Sequence, residues 1–174
     1  MLIILSPIIA LIAIAIFLDD GFPVFFKQKR VGKQNKYFWI YKFRTMSKNT
    51  PDIPTHLLKN PSSRYTKIGP ILRKYSIDEL PQLFNILRGD IGFIGPRPAL
   101  HNQYDLIKMR TDQGIESILP GITGWAQVNG RDEIDITDKV NFDLYYLKNK
   151  NIMLDIKIMY LTLFKVFKAE DVVV

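Results

Sequence analysis

The chain has no cysteine in its 174 residues. That removes disulfide scaffolds, cysteine-based zinc sites and thiol nucleophiles together, and it fits a reducing compartment. Histidine is nearly as scarce, and His56 and His101 stand without metal-spaced partners, so neither is given a role. There is no glycine-rich phosphate loop of the Walker or dinucleotide type, and nothing has the form of a cleavable secretory signal. Long hydrophobic runs are missing as well. The apolar run IIALIAIAIFL occupies residues 8–18. As a helix it rises about 16 Å against roughly 30 Å of hydrocarbon, so a straight membrane span is excluded.

What is present is enough for a core. Hydrophobic residues make up 47% and charged residues 24%, which argues against disorder, and the length suits one domain with at most an appendage. No internal repeat or linker divides the chain. Lys and Arg total 24 against 17 Asp and Glu, for a net charge of +7, but the charge is uneven. Residues 21–77 hold 13 basic side chains and a single acid, Asp52, leaving 11 basic and 16 acidic residues elsewhere. A one-signed segment suits an anionic partner such as phosphate, nucleic acid or an acidic lipid surface, and a solvated basic face is the plain alternative. Phe25, Phe26, Tyr37, Phe38, Trp39, Tyr41 and Phe43 interleave with these cations, which keeps nucleic acid among the candidates.

The N-terminal run carries eight large apolar side chains, on the order of 10 kcal/mol if buried, enough to anchor a helix in one leaflet. An ordinary core helix fits equally well, with Ser6 as N-cap, Pro7 at the first helical position and Asp19-Asp20-Gly21 as the stop. Strands are expected over Val24–Val31 and Lys36–Arg44 around a turn at Gly32–Asn35. In the second strand Tyr37, Trp39, Tyr41 and Phe43 share one face, and Lys36, Lys42 and Arg44 the other. Residues 47–63 read as an exposed loop. Helices are expected over 68–74, 78–87 and 100–111, and from about Thr137 to the end, with a rigid, turn-rich stretch over 90–98. On the last helix Ile152, Met153, Ile156, Met159, Tyr160, Leu163, Phe164, Val166 and Phe167 fill one half. Asp155, Lys157, Thr162, Lys165 and Lys168 fill the other, with Leu154, Ile158 and Leu161 as misfits. That pattern suits a membrane interface or packing on a core.

Asp78-Glu79 is the first acidic pair after the basic segment. Adjacent helical residues point about 100° apart, so the two do not flank one substrate bond as a glycosidase pair does. One carboxylate can instead attack while the other holds a metal. A capping box with Ser76 as N-cap and Glu79 at N3 explains the same residues structurally, and a helix N-terminus would also keep Asp78 ionised and nucleophilic. Pro96-Arg97-Pro98 fixes one guanidinium between two rigid residues, either for phosphate or as a surface turn. Arg73 is open in the same way. The three glycines of PGITGWAQVNGR, beside Trp125, Gln127 and Arg131, shape either a ligand loop or a bend at a buried Trp.

Taken in order, Tyr41-Lys42-Phe43-Arg44-Thr45-Met46, then SIDELPQLFNILRGDIGFIGPRP from Ser76 to Pro98, then PGITGWAQVNGR from Pro120 to Arg131 resemble the bacterial sugar transferase family. These are the monotopic phosphoglycosyl transferases that begin glycan assembly on a polyprenol carrier, and the resemblance covers nearly the whole chain. It implies an α+β, membrane-monotopic fold with a re-entrant-type N-terminal helix, a small β-hairpin and amphipathic interfacial helices around the catalytic core. Residues 1–20 become the membrane-inserting helix, broken at Ser6-Pro7, and 21–174 the catalytic domain on the cytoplasmic face of the bacterial inner membrane. Five residues precede Ser6, fewer than the family usually carries, so either the start is misassigned or trimmed or the protein dips less deeply into the membrane.

The implied reaction passes a phosphosugar from a UDP-sugar to polyprenol phosphate (undecaprenyl phosphate) with Mg²⁺, releasing UMP through an aspartyl-phosphosugar intermediate. Asp78 is then the nucleophile and Glu79 the magnesium ligand. Arg73 and Arg97 with Pro96 and Pro98, together with Lys42, Arg44, Gln127 and Arg131, become substrate and phosphate contacts. Membrane lipid is an implied partner and nucleic acid is not. Two other readings stand beside this one: a basic nucleic-acid-binding module resting on residues 21–77, and an inactive membrane-bound scaffold.

Overall fold

The computed structural model describes residues 2–51, 58, 60–130 and 134–168. Their contacts divide them into two units, one drawn from residues 1–28 and 41–84 and the other from 29–40 and 85–171.

In the first unit, α1 spans Leu2–Asp20 and carries apolar residues on all sides. Ile9, Ile12, Ala13 and Ile16 recur at helical spacing and pack with Val24, Phe43 and Leu72 into a core that Ile68, Ile77 and Leu80 extend. Ile16 is fully buried, yet Ile8, Leu11, Ile14, Phe17 and Leu18 are left exposed, Leu18 at 76%. The helix thus packs on a core along one stripe and presents hydrocarbon on another. Its start differs from the expected one. Ser6 does not cap it, because α1 already begins at Leu2 and continues through Pro7. Pro7 lacks the N–H that would bond back to Ile3, so it removes one rung from the first turns of an assigned helix and does not begin it. Gly21, in the left-handed region at φ +67°, ends the helix with its N–H on Phe17 O at 2.8 Å.

The hairpin strands fall within one residue of expectation, β1 at Phe25–Val31 and β2 at Tyr37–Phe43. They pair around a turn in which Gln34 and Asn35 both take positive φ. Neither face of β2 is buried throughout. On the aromatic face Tyr37 and Trp39 are exposed and Phe43 is buried, and on the other face Ile40 is buried. The chain passes from one unit to the other between residues 40 and 41, within this strand, and strict alternation of burial is lost along it. A short helix α2 follows at Gly69–Lys74, with the side chain of Asp19 accepting from Ile68 N at 3.1 Å.

The single helix expected over 78–87 is divided. Ile77–Glu79 form one 3₁₀ turn, and α3 begins only at Gln82 and ends at Arg88. Pro81, with no N–H to donate, separates the two.

In the second unit, β3 (Gly92–Ile94) pairs in parallel with β4 (Gly121–Thr123), Gly92 opposite Gly121 and Ile94 opposite Thr123. Between them in sequence lies α4, Tyr104–Asp112, and after β4 comes the short α5, Trp125–Val128. The strands meet closely because of glycine: a Cβ on Gly121 would lie 2.2 Å from Gly95 N, and one on Gly124 2.1 Å from Gly95 O. The continuous C-terminal helix is also two elements, α6 at Ile136–Asn149 and α7 at Ile152–Lys168. Asn151 caps the second, its side chain accepting from Leu154 N at 2.9 Å.

Helix α7 is mounted opposite to its hydrophobic pattern. Ile158, Leu154 and Leu161, the misfits on its polar half, join Val128, Tyr146 and Trp125 in a core. Polar neighbours on that half also face the protein. Asp155 accepts from the Tyr146 hydroxyl at 2.9 Å, and Thr162 Oγ1 lies 2.6 Å from Thr123 Oγ1. Burial and the Asp155 charge together raise the Tyr146 phenol well above its usual range. Ile152, Met153, Ile156, Met159, Tyr160, Leu163 and Phe164 are all exposed. Among the described residues no helix is long and apolar enough to cross a membrane.

The orientation of α7 sets up a paired test. Ile158 is 0% exposed and Ile156 56%. Ile158→Ala should cost about 2–5 kcal/mol in denaturant unfolding, and Ile156→Ala within roughly 0.5 kcal/mol. Equal losses would contradict this mounting.

Candidate functional site

The acidic pair lies on the 3₁₀ turn of the first unit, and Asp78 is buried. The capping box does not form. Ser76 sits in the left-handed region at φ +54°, an unfavourable place for a residue with a Cβ, and its side chain makes no cap bond. Glu79 instead meets Lys42 from β2, Nζ to Oε1 at 2.7 Å, with both side chains largely enclosed. The helix-dipole argument for an ionised Asp78 fails too, since a three-residue turn sums too few peptide dipoles and α3 starts four residues later.

Other residues of this unit divide between the site and the scaffold. Arg73 places its guanidinium 5.2 Å from the Tyr65 ring centre and Nη1 3.9 Å from Met46 Sδ. Arg44, expected among the phosphate contacts, is a buried clamp on the end of α1. Its Nη1 pairs with the Asp20 carboxylate, Nε donates to Pro23 O at 2.6 Å, and Nη2 donates to Asp20 O at 3.0 Å and Gly21 O at 2.6 Å. Every guanidinium nitrogen is engaged, so Arg44 is withdrawn from the site. Gln82 enters the account only from the structure, fully buried with its Nε2 unpartnered among the described residues.

Among the described residues no cluster of three or more His, Asp or Glu could hold a metal ion. Asp78 and Glu79 alone remain, which is the donor set of a magnesium ion shared with substrate phosphates rather than caged by protein. The residues therefore fit the ion in that manner, with Lys42 already on one Glu79 oxygen.

The second unit holds the Pro96-Arg97-Pro98 turn. Both prolines are buried, and Arg97 between them is partly exposed. Each carbonyl of the turn has a donor. Gly121 N–H reaches Pro96 O at 3.0 Å, Arg110 Nη1 reaches Arg97 O at 2.8 Å, and Arg30 Nη1 reaches Pro98 O at 2.8 Å. The first of these bonds joins two motif blocks, because Gly121 opens β4 in the PGITG segment. Gln127 belongs here as well. A Cβ on Gly124 would lie 2.9 Å from its Oε1, and both polar atoms of its carboxamide are enclosed and unpartnered among the described residues. Such an amide calls for a hydrogen-bonding guest, as a ligand loop would provide. Arg131 lies outside the described residues.

Sequence reasoning missed Arg30, Arg110 and Asp143. Arg110 and Asp143 are 33 residues apart, on α4 and α6, and their only signal was an ordinary charge on each helix. The motif residues thus fall into two sets, Lys42, Arg73, Asp78 and Glu79 in the first unit and Pro96, Arg97, Pro98 and Gln127 in the second.

Comparison with known proteins bears on both sets. The chain matches the bacterial sugar transferase family over residues 1–169. It is 45% identical to a protein of Bacillus subtilis named uncharacterized sugar transferase EpsL, over 96% of this chain and 82% of that one. It is 41% identical to an undecaprenyl-phosphate glucose phosphotransferase of Komagataeibacter xylinus, over 94% of this chain and 33% of the relative. The UDP-glucose:undecaprenyl-phosphate glucose-1-phosphate transferase of Escherichia coli is 40% identical, over 95% of this chain and 37% of its own. The chain therefore spans most of the first relative and about a third of the other two. With its motif blocks folded into the two sets described and the match running over almost its whole length, the chain belongs to the bacterial sugar transferase family.

Proposed function

We propose that the protein transfers a phosphosugar from a UDP-sugar to a polyprenol phosphate of the undecaprenyl type, releasing UMP and leaving a diphosphate-linked lipid sugar. Relatives at about 40% identity, named as undecaprenyl-phosphate sugar phosphotransferases, support the reaction class. The observation that carries it is the buried Asp78 beside Glu79, whose Oε1 is held 2.7 Å from the Lys42 ammonium.

In this reading an Asp78 carboxylate oxygen attacks the sugar-bearing phosphorus of the donor. The bond from that phosphorus to the oxygen of UMP breaks, and UMP leaves with the electron pair. The phosphosugar then sits on Asp78 as an acyl phosphate. An oxygen of polyprenol phosphate attacks the same phosphorus, the acyl–phosphate bond breaks, and the Asp78 carboxylate is regenerated. Dividing the exchange in two spares the enzyme from holding both anionic substrates at the reacting phosphorus at once.

Glu79 is the protein ligand for Mg²⁺, which when bound offsets the charge of the donor's diphosphate. Lys42 holds Glu79 in place and adds positive charge beside it. Arg73 and Arg97 are the proposed phosphate or nucleotide contacts, and the enclosed Gln127 carboxamide is a further hydrogen-bonding group for substrate. The lipid substrate requires a place at the bilayer. The uncovered apolar faces of α1 and α7 support a monotopic protein on the cytoplasmic face of the inner membrane, with Ser6-Pro7 as a bend within one leaflet.

Against a panel of UDP-sugars, Asp78→Asn should abolish UMP release while the variant stays folded; normal turnover would refute Asp78 as nucleophile. Glu79→Gln should lower the rate by roughly 100-fold or more and shift the magnesium titration upward, as loss of an electrostatic contact to a reacting phosphate does. A titration midpoint identical to the parent's would remove Glu79 as the metal ligand.

A further inference from the structure

We infer that Arg110 and Asp143 are positioning residues for Arg97: their buried pair fixes the backbone of the Pro96-Arg97-Pro98 turn and so the point from which the Arg97 guanidinium meets the donor's phosphate. This rests on the proposed role of Arg97 and extends it to two residues that touch no substrate.

The geometry is specific. Arg110 on α4 donates from Nε at 2.9 Å and Nη2 at 2.5 Å to one oxygen of Asp143 on α6, and from Nη1 at 2.8 Å to Arg97 O. The Asp143 side chain is 1% exposed. Proline fixes φ at residues 96 and 98, and Pro98 restricts Arg97 to extended backbone. What remains is the tilt of each peptide plane, and each tilt is set by the donor on its carbonyl. For the plane that follows Arg97, that donor is Arg110.

Burying the pair carries a cost. Burial pushes the Asp143 carboxyl above its usual range, against the pull of Arg110 and Lys139, so desolvation outweighs the attraction. Val31, Ala99, Leu106, Ile115 and Val140 already form a core among these elements. An apolar pair of similar volume commonly joins two helices as well or better. An apolar pair cannot donate to Arg97 O. That bond is what the charged pair supplies, and a displacement of about 1 Å in a positioned group can cost on the order of 100-fold in rate.

The test is a cycle on the full chain in detergent, reading UDP affinity by calorimetry in magnesium buffer beside thermal unfolding. Arg110→Met with Asp143→Leu should leave the unfolding midpoint within a few degrees of the parent and weaken UDP binding about tenfold. In an Arg97→Ala background the same pair of changes should weaken it no further, because there is no guanidinium left to position. Parental affinity in the folded double variant, with Arg97→Ala impaired, overturns this inference alone, as does a full further loss in the Arg97→Ala background. Parental affinity in Arg97→Ala overturns the role of Arg97 itself and takes this inference with it. Should the double variant not fold, Asp143→Asn keeps the shape and one acceptor for Arg110. A several-fold loss that vanishes in the Arg97→Ala background then supports the inference, and no loss overturns it.

Discussion

A charged group that leaves water has to be met by another, and in this protein those meetings fix the backbone around each motif. Three buried or half-buried pairs do most of this. Arg44 closes on Asp20 and on the carbonyls that end α1. Lys42, two residues earlier near the end of β2, closes on Glu79. The Tyr41–Met46 block therefore ties the N-terminal helix and the acidic turn to one strand, with one cation for each. Arg110 and Asp143 do the same for the Pro96-Arg97-Pro98 turn. Arg44 and Arg110, each with a planar fork of donors, reach backbone carbonyls and fix that backbone, whereas Lys42 reaches the Glu79 carboxylate itself.

The hydrophobic residues are arranged with less regard to water than is usual. Helix α1 keeps one stripe for its core and leaves Leu11, Ile14 and Leu18 outside, and α7 turns its more polar half inward. Large contiguous apolar surface of this kind marks an interaction site on a folded protein. A lipid substrate gives it a purpose, since hydrocarbon that the fold does not bury can be buried in a leaflet. The polar contacts on the inner side of α7, Asp155 with Tyr146 and Thr162 with Thr123, hold the helix by hydrogen bonds beside the apolar cluster around Ile158.

Much of this was legible in the sequence where the information is local. The hairpin strands, α2 and the rigidity of the Pro96–Pro98 turn follow from alternation, spacing and proline chemistry. The acidic pair stood out by the charge asymmetry around it. Three features were not legible. The cap at Ser76 is absent because the chain there takes a left-handed turn, and nothing in the Ser-Ile-Asp-Glu pattern announces that. Arg44 and Lys42 are two positions apart in a basic strand, and only the folded partners, Asp20 and Glu79, assign one to structure and the other to the site. The mounting of α7 reverses the hydrophobic rule, which presumes water outside; in the proposed reading a leaflet takes the place of that water. Its division from α6, by contrast, had a local signal in Asn151, a good N-cap residue.

In the proposed reaction a carboxylate in the turn after Ser76 carries the phosphosugar between two substrates. The most direct measurement is intact mass of the purified protein after incubation with the donor and magnesium and without any lipid acceptor. The account predicts an added mass of one phosphosugar, located on Asp78, that disappears when polyprenol phosphate is supplied. An enzyme that completes the full reaction yet never gains that mass would contradict it.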